Sequence, residues 1–233
     1  MSNPLPFPQR RSFLTGINAG LTSLAAMALG GVAMAREKSS GTARWEPARH
    51  EKDDWFDKLP GKHRLVFDTI TAEVLGEALT FASNFIRVNQ SDYGLETRDL
   101  AIVIVVRHRA TPFAYNDAIW AKYGKTLAAR ARFEDPKTKL PPGVNVYNST
   151  AYGDLLPNRA TTLDALSQQG VQFGVCSLAT RAYSGIIAQE HGENAEAVYG
   201  ELVANLVNNA RMVPAGIVAV SRAQERGYSL VSG

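Results

Sequence analysis

From residue 63 onward the apolar positions alternate between two rhythms, short runs that are β-rich and longer stretches with a helical repeat. Arg64 to Ile70 is a short strand-like run with Asp68 near its end. After Thr71 the period changes: Val74, Leu75, Ala78, Leu79, Ala82, Phe85 and Ile86 share one helical face, and Tyr93-Gly94 closes it. Leu100 to Val106 is apolar at every position, the mark of a strand covered on both faces, and stops abruptly at Arg107-His108-Arg109. Asn116 to Phe133 reads as the next helix, through Ile119, Trp120, Tyr123, Leu127 and Ala131. Thr161 to Gln169 is a short helix closed by Gly170. Val171 to Cys176 is a strand and Leu178 to Glu190 a helix. Glu196 to Ala210 repeats its apolar pairs every four residues, through Leu206/Val207, and predicts one continuous helix. A short strand at 211–214, a helix at 217–226 and a last strand at 228–231 complete the chain.

Strand and helix therefore alternate throughout. That pattern predicts an α/β fold, a doubly wound parallel sheet with helices on both faces and right-handed crossovers, in one domain over 63–233. Two stretches interrupt it. Residues 36–62 mix both charge signs with few apolar positions and read as a linker or surface arm. Trp55, Phe56 and Leu59 are expected to pin its second half to the domain. Residues 134–158 hold Pro136, Pro141, Pro142, Gly143, Gly153 and Pro157, a loop long enough to be a lid, an oligomer contact or disorder.

The first 35 residues follow a different logic. Arg10-Arg11 precede Phe13-Leu14, no charge follows until Arg36, and Ala33-Met34-Ala35 offers small residues at the two positions a signal peptidase reads. Basic start, apolar middle and A-x-A end describe an export signal, and the paired arginines indicate the twin-arginine machinery. The competing reading is an uncleaved anchor, weakened by Gly16, Asn18, Gly20, Gly30 and Gly31. Cleavage after Ala35 and a periplasmic product are expected.

Composition changes this picture in two ways. The chain has 233 residues, 45% apolar and 20% charged, with 19 Gly and 11 Pro, which excludes collagen-like and low-complexity classes. Its formal charge is +3, but residues 1–35 hold two arginines and no acid, so the mature chain is left at +1. Nothing in that balance argues for nucleic acid as a partner. The single cysteine rules out an internal disulfide, a CxxC redox pair and a cysteine-rich zinc site.

Candidate chemistry follows from topology. Ligands of wound sheets bind beyond the carboxyl ends of the strands, where strand order reverses. Asp68, Arg107, His108, Cys176 and Ser177 all fall at predicted strand ends on that edge. Cys176 closes an apolar strand just before a helix, with Ser177 as the expected N-cap. Backbone N–H groups at a helix start stabilise an anion, the condition under which a thiol becomes a nucleophile. The bland alternative is a small core residue, since free cysteine is among the most buried types. Arg107 and His108, with Arg109, suit an anionic substrate; solubility at a strand end is the competing explanation. His63, His108 and Cys176 have no short-range ligand spacing, so no metal is expected. The chain lacks GxGxxG, P-loop, GxSxG, HExxH and CxxCH motifs, and no cofactor is expected.

Gly170-Val171-Gln172-Phe173-Gly174-Val175-Cys176, continuing through Ala179 to Gly185, resembles the strand–cysteine–helix segment of the DsrE/DsrF/TusD-like sulfur-relay superfamily. Val213-Pro214-Ala215-Gly216, Gln224 and Gly227-Tyr228 are similar to that family's closing strand–helix–strand. The resemblance spans roughly 63–233 and is informative over 170–231. It implies a flavodoxin-like three-layer fold, trimers or hexamers, and a cysteine that carries persulfide sulfur, a position only Cys176 matches. The export signal, the arm and the long loop depart from the family, whose sulfur-relay members work in the cytoplasm with protein partners. Two functions are thus expected to compete. One is a periplasmic sulfur carrier exchanging with a donor or acceptor protein, and the other is a non-enzymatic binding or assembly module with a structural cysteine.

Overall fold

The computed structural model describes residues 46–232; the expected export signal and the first part of the arm lie outside the described residues. Five parallel strands form one sheet: β1 (His63–Thr69), β2 (Leu100–Val106), β3 (Gln172–Cys176), β4 (Ala210–Val213) and β5 (Ser229–Ser232). Their spatial order is β4-β3-β2-β1-β5. The helices are α1 (Ala72–Tyr93), α2 (Asp117–Ala131), α3 (Leu163–Gln168), α4 (Ser177–His191), α5 (Ala195–Ala204) and α6 (Gly216–Gln224). Local chemistry sets their ends. Thr71 and Asn116 cap α1 and α2 by accepting N–H groups of the first turn. Gly94 closes α1 at φ 64°, a left-handed conformation that glycine adopts without steric cost.

Strand alternation sorts side chains into two cores. Leu65, Phe67, Ile102, Ile104, Val106, Phe173 and Val175 pack against α1, α2, α3 and α4. Val66, Ala101, Val103, Val105 and Val213 pack on the opposite face against α6 and the described part of the arm. The result is a three-layer α/β sandwich of flavodoxin-like type. All seven residues of β2 are buried, as their uninterrupted apolar run requires.

Three expectations change. The apolar period at 196–210 does not mark one helix: α5 ends at Ala204, Leu206 bridges to Tyr115, and the Val207 N–H donates to the Ala114 carbonyl. Tertiary hydrogen bonds override the local period there. The second half of the arm is pinned by Trp55, Phe56 and Leu59 as expected, but as a folded segment rather than a linker. Glu51–Phe56 form a 3-10 helix, Trp55 and Phe56 are buried, and the Phe56 carbonyl accepts from the Tyr228 hydroxyl at 2.8 Å. The long loop is pinned at its middle. Asn145, almost wholly buried, donates to the carbonyls of Phe113 and Tyr115, and the Tyr147 hydroxyl donates to the Ala72 carbonyl. No helix among the described residues is long and apolar enough to cross a membrane.

Candidate functional site

β3 continues into α4 on one face of the sheet, whereas β4 continues into α6 on the other. The strand connections therefore part between β3 and β4, and Cys176 stands there, in register with Val213. Ser177 is not the cap of α4. Cys176 is, with its Sγ accepting the Ala179 N–H at 3.5 Å. Ser177 becomes the first helical residue and its hydroxyl turns to the Tyr199 hydroxyl of α5, 2.9 Å away. The thiol is thus at a helix amino end, but the residue is only 7% exposed. Behind it, the Tyr115 hydroxyl donates to Thr180 Oγ1, and Thr180 donates to the Cys176 carbonyl.

Asp68 and Arg107 lie at the ends of the two strands beyond, β1 and β2, and hold each other. Arg107 Nε and Nη2 donate to the two Asp68 carboxylate oxygens at 2.6 and 2.8 Å. This bidentate pair fixes the guanidinium, and Asp68 raises the Arg107 pKa above its ordinary value against the opposing effect of burial. The Arg107 stem is further confined by Gly216 at the start of α6, where a Cβ would fall 2.6 Å from that of Arg107. Alternation puts Asp68 and Arg107 on the α6 face of the sheet, with Val66 and Val105.

His108 parts from this group. It adopts φ 55°, opens a 3-10 segment (His108–Ala114), and lines a separate hollow with Arg109, Arg130, Arg132 and Tyr183. Cys176 does not line that hollow, although Ala179, which donates to its sulfur, does. Sequence reading missed Arg130 and Arg132 altogether. They sit at the carboxyl end of α2, where basic residues are ordinary, and only the antiparallel packing of α2 on α4 brings them beside Arg109. Among the described residues no group of three or more His, Cys, Asp or Glu side chains is gathered to hold a metal ion.

No family model matches the chain, and no curated protein matches it. Among solved structures, it is similar to a protein of unknown function, MTH1491 from Methanobacterium thermoautotrophicum. The identity is 17% over 74% of this chain and 100% of that one, with a TM-score of 0.37.

Proposed function

We propose that this protein is an exported carrier of sulfane sulfur, with Cys176 as the residue that bears the sulfur. One observation carries the reading: the Cys176 sulfur stands at the amino end of α4, beside the parting of strand connections, and accepts a backbone N–H. Such a donor stabilises the negative sulfur of a thiolate or persulfide. Arg107 on the neighbouring strand lies close enough to interact electrostatically with Cys176, though Asp68 pairs with most of its charge. In the transfer, the thiolate attacks the outer sulfur of a donor such as thiosulfate. The donor S–S bond breaks, sulfite leaves with its electron pair, and Cys176 holds a persulfide; no oxidant is consumed. Delivery is the same displacement by an acceptor thiolate.

The expected twin-arginine signal over 1–35 and cleavage after Ala35 support a periplasmic location, where donor or acceptor proteins would meet a trimer or hexamer of this chain. The test is mass spectrometry of the mature protein after incubation with thiosulfate or polysulfide. A gain of one sulfur on the Cys176 peptide, reversed by dithiothreitol and absent from Cys176→Ser, is the expected result. An unchanged mass contradicts it. A second reading is favoured by the 7% exposure of Cys176. In it the protein is a binding or assembly module and the cysteine a packing residue, so Cys176→Ser leaves ligand affinity unchanged.

A further inference from the structure

The hollow between α2, the 108–114 segment and α4 encloses about 410 Å3, within the range of roughly 300–1,000 Å3 typical of small-molecule pockets. His108, Arg109, Arg130 and Arg132 line it, and no acidic residue does. None of the three arginines forms a salt bridge with a described residue. Several basic residues elsewhere are paired. Arg181 on α4 pairs with Glu196, Lys122 with Glu201, and Arg222 with Glu225. A larger hollow between the arm and α6 carries both signs, with Glu51 and Asp53 facing Arg49 and Arg222.

One buried polar group beside this hollow lacks a partner, and a phenol lines it. Arg109 Nε is buried with no hydrogen-bond acceptor, a desolvated donor that costs free energy until something accepts from it. Tyr183 is 6% exposed and its hydroxyl makes no hydrogen bond to a described residue. Burial pushes that phenol up to about 12 against the pull of Arg130 and Arg109, so at neutral pH it is a neutral donor. The helix dipole accounts for Arg130 at the end of α2 but not for Arg109 on another segment. His108 and Arg132 both take left-handed backbone at φ 55°, a conformation that non-glycine residues hold at some cost.

We propose that this pocket binds a small phosphate monoester. The dianion is held by the guanidinium forks of Arg109, Arg130 and Arg132, with the Tyr183 hydroxyl donating. The organic part of the ester lies along the apolar wall of Ala129, Ala182 and Ile186. Planar forks match phosphate oxygens in pairs, and three cations without an acid favour a dianion over a monoanion. The volume exceeds what a bare anion fills, which is why the ligand carries a body. No thiol takes part, so the pocket stands apart from the sulfur reading.

The test is isothermal titration of the mature protein with phenyl phosphate, phenyl sulfate and inorganic phosphate at one ionic strength set with chloride. One phenyl phosphate per chain is expected, bound at least about tenfold more tightly than either of the others. Arg109→Gln, Arg130→Gln and Arg132→Gln should each weaken it about tenfold or more, the loss of a charge-assisted hydrogen bond. Arg130 and Arg132 are exposed, so their variants decide the matter should Arg109→Gln fail to fold. Binding that vanishes at matched ionic strength, or that survives these substitutions, overturns the proposal. Equal affinity for phenyl sulfate overturns the dianion, and equal affinity for inorganic phosphate overturns the role of the apolar wall.

Discussion

Asp68 and Arg107 form the tightest ion pair at the carboxyl edge of the sheet, and both are largely withdrawn from water. Asp68→Asn removes the charge opposite a confined guanidinium and should lower stability by about 1–3 kcal/mol, read from urea denaturation midpoints. Gly216→Ala forces a methyl group against the Arg107 stem and should cost a similar amount, about 1–3 kcal/mol. Because both changes act through Arg107, the double variant should lose less or more than the sum, a coupling that a double-mutant cycle measures. At this scale the sequence was partly legible. The strand ends at Asp68, Arg107 and Cys176 could be read from where apolar runs stop. That Asp68 and Arg107 pair could not, because it depends on β1 and β2 being neighbours in parallel register. Nor could the exchange of roles at α4, where the sulfur takes the capping position and Ser177 turns to Tyr199.

Among the elements, the 134–158 loop shows how a stretch without periodicity is held. Asn145 is buried and satisfies the carbonyls of Phe113 and Tyr115, at and just past the end of the 108–114 segment, while its own N–H donates to Asp117. Asn145→Ala orphans those carbonyls and should cost about 1–3 kcal/mol, with faster proteolysis inside the loop than elsewhere. Asp135 anchors the loop's first turn. Burial alone would push its carboxyl up, but the Tyr152 hydroxyl and the N–H groups of Lys137 and Thr138 outweigh that and hold it below the ordinary value. Its contribution to stability is therefore complete above about pH 4, the unfolded value, and fades as pH falls through the lower folded one. The stability gap between wild type and Asp135→Asn should accordingly shrink as urea midpoints are taken from pH 6 down to pH 3. Periodicity located the long elements because amphipathic faces decide them. It failed for Leu206 and Val207, whose fate rests on hydrogen bonds to the remote residues Tyr115 and Ala114.

For the molecule as a whole, alternation of strand and helix was enough to read a parallel sheet between two helical layers, with the central strand β2, covered on both faces, apolar throughout. The strand order was not readable, and with it went the position of the crevice between β3 and β4 and the meeting of α2 with α4 that gathers Arg109, Arg130 and Arg132. That geometry leaves the sulfur reading dependent on access, because Cys176 is close to fully covered while occupying the place where wound sheets do chemistry. The direct test is the rate at which iodoacetamide alkylates Cys176 in the native protein at neutral pH, followed across a series of increasingly destabilised variants. A carrier thiol should react through a local opening, at a rate independent of global stability. Labelling that tracks the population of unfolded chains would show a sulfur reachable only when the fold is lost, and would contradict a role in transfer.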